Sequence, residues 1–188
     1  MTRVFLAFDI SDEVKTNLGS LVTTIEPQAK EAKWVKPKNF HVTLKFFGNV
    51  EESTLLKIKE IVEKGVRHSK PVSLQCVGIG AFPKWEYPRV IWASLEGSVA
   101  SLSDLQQHFE EAFEKLGFEK EKREFKPHLT VARLKSPPQN AGWLKVLKEM
   151  KEKMFGVTTV DHLTLYKSEL TKAGSIYTAL EVFPFHKP

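Results

Sequence analysis

The sequence predicts an α+β fold of two similar lobes, each an antiparallel sheet with helices packed on its outer face, around a central cleft. Three observations lead there. The elements run strand, helix, strand, helix, strand, and then repeat that order. An offset of 87 residues carries the strand at Val4 onto the strand at Val90, and His41 onto His128. The connections are short and return like hairpins, which favours antiparallel pairing over parallel crossovers. The 188 residues are therefore expected to form one bilobal domain, 1–188, with a pseudo-repeat of 1–88 and 89–188. Strands are free to exchange between the lobes.

The first element is a buried strand, Val4 to Phe8. Ser11 caps a helix that runs to about Ile25, with Asp12 and Glu13 favourably placed in its first turn. Pro27 ends it. Trp34 to Pro37 is extended, and Phe40 to Phe47 alternates as a strand before a turn at Gly48-Asn49. Glu51 to Val66 carries Leu55, Ile58, Ile61 and Val62 at helical spacing. Pro71 to Ile79 is a strand, Gly80 to Pro88 a loop, and Arg89 to Leu95 a strand. In the second half, Ser101 or Ser103 caps a helix to about Leu116, which Gly117 ends. Lys126 to Leu134 is a strand, and Ser136-Pro137-Pro138 a turn. Asn140 to Met154 is a helix closed by Gly156. Thr158 to Tyr166 is a strand, Gly174 a turn, and Tyr177 to Phe185 the last strand.

Apolar residues make up 41% and charged residues 27%, enough to bury a core and too apolar for wholesale disorder. Lys and Arg number 28 against 23 Asp and Glu, a net charge of +5 that suits a polyanionic partner. The one cysteine, Cys76, excludes an internal disulfide and a Cys-based zinc cluster. The apolar run Val4 to Phe8 is too short for a signal peptide or a membrane span, so a cytoplasmic protein is expected, with no membrane partner and as a monomer by default. Sparse Asn and abundant Glu and Lys in the helices point to a heat-adapted source.

The chemistry lies in two copies of one motif: His41-Val42-Thr43-Leu44 and His128-Leu129-Thr130-Val131. Side chains alternate along a strand, so each His shares a face with its Thr and the apolar pair packs inward. One His-x-Thr is an ordinary half-exposed strand face. Two at the repeat offset can line one cleft. Imidazoles titrate near neutrality, so one can take a proton from water or a hydroxyl while the other gives one to a leaving oxygen. Two threonine hydroxyls can donate to the oxygens of a phosphate between them. Such a site needs no metal and no cofactor. It suits a phosphodiester made labile by a neighbouring hydroxyl: RNA or a 2′,3′-cyclic phosphate.

A third match, His162-Leu163-Thr164-Leu165, has no symmetric partner, since the offset places it opposite Gln75 and Val77. It is read as a neighbouring strand. On a regular strand, Lys45 and Phe47 share the His41 face, as a phosphate contact and a base-stacking ring. Leu44 and Phe46 face the core. Tyr166 shares a face with His162 and Thr164. His68, His108 and His186 have no role assigned, and no dinucleotide or phosphate-loop motif is present.

With these residues in place, the chain resembles the 2H phosphoesterase superfamily, and more closely its RNA 2′,3′-cyclic phosphodiesterases, also named 2′-5′ RNA ligases. The likeness spans essentially the whole chain. It includes Arg3-Val4-Phe5-Leu6-Ala7-Phe8, Trp34-Val35, Lys45-Phe46-Phe47-Gly48, Pro127, Arg133, Leu165-Tyr166-Lys167-Ser168, Gly174 and Tyr177. The resemblance implies metal-independent hydrolysis of an RNA-terminal 2′,3′-cyclic phosphate to a 2′-phosphate, with reversible 2′-5′ ligation beside it. It implies that His41 is the proton donor, His128 the acceptor, and Thr43 and Thr130 the phosphate ligands. It makes Arg133 a supporting substrate contact, although a regular strand would turn Arg133 away from the His128 face unless a bulge re-aimed it. The competing expectations are a phosphodiesterase for small cyclic nucleotides or 2′-5′ oligonucleotides, and a non-catalytic protein that binds RNA ends.

Overall fold

Nine strands and four α-helices, with short 3-10 turns at Glu26–Gln28 and Pro37–Asn39, make up the computed structural model, which describes residues 1–136, 138, 142–172 and 174–185. In chain order they are β1 (Thr2–Asp9), α1 (Asp12–Ile25), β2 (Ala32–Trp34), β3 (His41–Val50), α2 (Glu52–Val66), β4 (Val72–Phe82) and β5 (Val90–Gly97). There follow α3 (Val99–Glu114), β6 (His128–Leu134), α4 (Gly142–Glu149), β7 (Met154–Val160), β8 (His162–Thr171) and β9 (Gly174–Pro184). Pro137, Asn140 and His186, which the sequence puts in a turn, a helix start and the tail, lie outside the described residues.

The strands form two sheets, ordered β3-β1-β8-β9 and β2-β6-β5-β4-β7, with antiparallel neighbours throughout. The fold is α+β, as predicted. The offset of 87 residues carries β1 onto β5, β3 onto β6 and β4 onto β8, so the two sheets share one internal order. β2 is an addition at the β6 edge. Each sheet draws on both halves of the chain: β4 sits in the five-stranded sheet, and β8 and β9 sit in the four-stranded one.

The helices exchange as well. α2 packs on β8 and β9, and α3 packs on α2 and β3. α1 crosses to β7, and α4 lies on β4. On β1, Val4, Leu6 and Phe8 are fully buried in the core beneath the helices. The alternate residues Arg3, Phe5, Ala7 and Asp9 share the opposite face. Ser11 caps α1 as expected, its hydroxyl accepting from the Val14 N–H at 3.3 Å.

Several boundaries differ from the sequence reading. The predicted turn at Gly48-Asn49 lies inside β3, where Gly48 takes a φ of 73°. The predicted strand from Thr158 to Tyr166 is two strands in different sheets, parted at Asp161. The last helix stops at Glu149, and Gly156 lies within β7 at a φ of 130°, a conformation that glycine adopts without strain. β4 runs on through the predicted loop to Phe82, and α3 begins at Val99 with Ser98 in the cap position. Apolar alternation alone cannot distinguish one long strand from two that diverge.

Candidate active site

His41 and His128 open β3 and β6, two strands that lie against each other in the fold. The two rings are held alike. Nδ1 of His41 lies 2.8 Å from the carbonyl oxygen of Asn39, and Nδ1 of His128 lies 2.8 Å from that of Lys126. A carbonyl oxygen only accepts, so each Nδ1 carries the hydrogen and each Nε2 is left for chemistry.

Each ring also rests on aromatics. His41 sits 4.8 Å from Phe5 and edge-on to Tyr177 at 5.1 Å. His128 sits edge-on to Phe82 at 5.4 Å and 6.3 Å from Trp92. Phe5 and Trp92 are themselves related by the 87-residue offset. Gly80 makes room for Trp92, because any Cβ there would collide with the indole.

The strand geometry beyond each motif departs from regular alternation. Ala7 pairs with Thr43 while Leu6 pairs with Lys45, so Leu44 is an extra residue, a β-bulge. Trp92 pairs with Thr130 while Ile91 pairs with Ala132, which makes Val131 the matching bulge on β6. Both bulges fall at the fourth motif residue. Each reverses the facing of the residues that follow it, on β3 as far as a second irregularity at Phe47.

This reversal corrects two expectations. Lys45 does not share the His41 face. It is buried, its Nζ 2.6 Å from Glu110 Oε2 and donating to the Glu119 carbonyl at 2.6 Å. Phe47 is itself a second extra residue on β3, and it is buried against Phe113 and Phe118, at 4.7 and 5.1 Å. Phe46, read from the sequence as core, is the ring on the site side. It is 48% exposed, with the Arg3 guanidinium 4.8 Å from its centroid. On β6 the same reversal re-aims Arg133 toward the His41 side.

His41, Thr43, Phe46 and Arg133 line one cavity of about 630 Å³ with Arg3, Phe5, Tyr177 and the 33–39 segment. The cavity lies on the β3 side; His128 and Thr130 are not among its lining residues. Burial pulls the His41 imidazole below its ordinary pKa. The Asn39 carbonyl and the Asp9 carboxylate act against this, while Arg133 reinforces it.

Tyr166 stacks on Phe5 at 5.3 Å and donates its hydroxyl to Asp9 Oδ2 at 2.7 Å. It stands behind His41 and does not line the cavity. Asp9 is the cross-strand partner of His41. His162 reaches the same carboxylate, with Nε2 at 3.8 Å, and its Nδ1 is 2.6 Å from Asp161. Burial pushes Asp9 up, but hydrogen bonds from His162 and Tyr166 outweigh it and hold the carboxyl low. The hydrogen bond to Asp9 raises His162 against the effect of burial. The third motif thus supplies a support for Asp9, with Thr164 fully buried. Among the described residues, no cluster of three or more His, Cys, Asp or Glu side chains is arranged to hold a metal ion. No described helix is long and apolar enough to cross a membrane.

Two antiparallel sheets of matching order, each with a His-x-Thr strand bulged at the same position, define a LigT-like phosphoesterase fold. The structure of TT0787 from Thermus thermophilus superposes with a TM-score of 0.81 at 30% identity over 97% of both chains. That of Escherichia coli LigT with 3′-AMP superposes at 0.80 over 99% of both, at 19% identity, a likeness of fold alone. The chain belongs to the 2′-5′ RNA ligase superfamily, whose model matches residues 14–172. It is 37% identical over 181 residues to the RNA 2′,3′-cyclic phosphodiesterase of Methanothermobacter thermautotrophicus, covering 96% of this chain and 97% of that one. The enzyme of the same name from Thermotoga maritima is 32% identical over 178 residues, covering 95% of this chain and 92% of that one.

Proposed function

We propose that this protein hydrolyses RNA-terminal 2′,3′-cyclic phosphate to a 2′-phosphate by paired histidine catalysis. The observation that carries the reading is the matched pair of imidazoles, each pinned through Nδ1 by the carbonyl two residues before it. Relatives named RNA 2′,3′-cyclic phosphodiesterase, aligned over nearly the whole chain, support it.

Thr43 and Thr130 hydroxyls donate to the non-bridging oxygens of the cyclic phosphate, and Arg133 adds positive charge. His128 Nε2 accepts a proton from water. The hydroxide so formed bonds to phosphorus, and the bond from phosphorus to the 3′-oxygen breaks. His41 Nε2–H gives its proton to that oxygen. In-line displacement puts the leaving ribose opposite the water. The cavity on the His41 side supports this direction, because it has the room for a nucleoside. A bound phosphate anion beside His41 also offsets the burial that depresses its protonation. With an RNA 5′-hydroxyl in place of water, the same steps form a 2′-5′ bond. No step calls on a metal ion.

The test is an assay on RNA ending in a 2′,3′-cyclic phosphate, with EDTA present. A 2′-phosphate product is expected. His41→Ala and His128→Ala should each lower kcat/KM by roughly 10²–10⁴-fold, the usual worth of a positioned acid or base, while circular dichroism stays unchanged. A 3′-phosphate product, a need for added metal, or full activity in either variant would overturn the proposal.

A further inference from the structure

We propose that Lys45 and Glu110 are positioning residues for His128. Together they clamp the start of a strap, residues 119–126, whose last carbonyl holds the His128 ring. This rests on the hydrolytic reading above and deepens it.

The first ground is what the pair holds. Lys45 lies one residue past the bulge at Leu44, on the strand that carries His41. Its Nζ stands 2.6 Å from Glu110 Oε2 and donates to the Glu119 carbonyl at 2.6 Å. The same Oε2 accepts the Glu121 N–H at 2.9 Å. Two backbone groups of the strap therefore end on one buried ion pair, Lys45 being 8% exposed and Glu110 3%. Gln106 donates to the other carboxylate oxygen at 3.0 Å, which fixes the orientation of the carboxylate.

The second ground is how little else holds the strap. Residues 118–127 contain no helix or strand, and most of the strap is exposed. At its far end Phe125 packs on the core, and the Pro127 carbonyl accepts from the Leu95 N–H at 3.3 Å. Between these two, Lys126 offers its carbonyl to His128 Nδ1 at 2.8 Å. The lead-in to His41 is built differently. Asn39 closes a 3-10 turn, Pro37–Asn39, and its side chain donates to the Ser175 carbonyl at 3.0 Å. Lys126 has no such turn, and its side chain lies exposed beside Glu124. An exposed stretch without regular structure opens easily unless it is tied. The ion pair is the tie at the 119–121 end.

The third ground is energetic. An apolar pair of similar volume is often as stable as a buried ion pair, or more so. It could neither donate to the Glu119 carbonyl nor accept the Glu121 N–H. Those two bonds are what the charged pair alone supplies here. Through them the strand of His41 governs the setting of His128. That ring presents Nε2 to water only while Nδ1 keeps its hydrogen, and the Lys126 carbonyl keeps it there.

The experiment compares two uncharged replacements in the full chain. In the double variant Lys45→Met, Glu110→Leu, kcat on RNA ending in a 2′,3′-cyclic phosphate should fall roughly 10–10²-fold, the cost of misplacing a catalytic group by about 1 Å. KM should change little. The double variant Lys45→Met, Glu110→Gln keeps an amide oxygen for the Glu121 N–H and should retain more of the parent kcat. Nitrogen-15 NMR of the imidazoles reads the position without turnover. Neutral His128 should be one tautomer in the parent, with hydrogen on Nδ1, and a mixture in the Leu variant, while His41 keeps its own tautomer in both. Glu121→Pro deletes the N–H from the exposed side and leaves the core intact. It should give the same two changes, and it decides the matter if the Leu variant does not fold by circular dichroism. Parent kcat in a folded Leu variant, a Gln variant no better than the Leu one, an unchanged His128 tautomer, or mixed tautomers at both histidines would overturn the positioning role. If the parent does not turn over the cyclic phosphate, the hydrolytic proposal fails, and the NMR measurement still decides the strap.

Discussion

His41 sits between opposing influences. Burial and Arg133 disfavour its protonated form, while the Asn39 carbonyl and Asp9 favour it. In the proposed mechanism His41 is the general acid and must begin protonated, and a bound phosphate would bring the negative charge that restores the proton. Observed by NMR, the His41 ring should therefore titrate below the ordinary histidine value of about 6.5 in the free protein. It should move upward when a phosphate analogue binds. Arg133→Gln removes a cation that pushes the value down, so it should also shift His41 upward, even as kcat/KM on the cyclic phosphate falls. An unchanged value in that variant would show that Arg133 does not act on His41. At this scale the sequence shows which side chains share a face within each motif, because alternation through Thr43 and Thr130 is regular. It misplaces Lys45, Phe46 and Phe47 because regular alternation stops one residue later.

The bulges on β3 and β6 belong to the scale of elements. An extra residue is invisible in a run such as Leu44-Lys45-Phe46-Phe47, where every apolar position suits either face. Only the pairing with β1 decides it. Once reversed, Lys45 meets Glu110 of α3 in the core. Glu110 also accepts from the Glu121 N–H at 2.9 Å and from Gln106 at 3.0 Å. This network ties β3 to α3 and to the segment that leads into His128. Removing one partner of a buried ion pair strands the other charge, which typically costs about 3–5 kcal/mol. Lys45→Met should lower stability in chemical denaturation by that order. The double variant Lys45→Met, Glu110→Gln should recover a good part of it. A single variant as stable as the parent would mean that Glu110 is satisfied without Lys45.

For the whole molecule, the repeat and the sheets do not coincide. β4 of the first half pairs with β5 and β7 of the second, and β8 pairs with β1. A half-chain would therefore expose unpaired strand edges and lose the partners of its helices, since α1 packs on β7 and α3 on β3. The fragments 1–88 and 89–188, expressed alone, should each lack cooperative thermal unfolding, whereas the full chain should unfold in one transition. A fragment that melts cooperatively by itself would show the halves to be independent.

What the sequence determined by itself is what is local and periodic. Alternation placed His41 with Thr43 and His128 with Thr130 on polar strand faces, and an offset of 87 residues related the two. The tertiary structure alone decided which sheet each strand joins, where β7 ends and β8 begins, and which side chains face the cavity beyond the motifs. The physical reason is shared by all three. Strand partners are chosen by contacts far apart in the chain, and a bulge exists only relative to the strand it pairs with. One unpaired residue in β6 turns Arg133 to the His41 side, and one in β3 sends Lys45 into the core and brings Phe46 to the cavity.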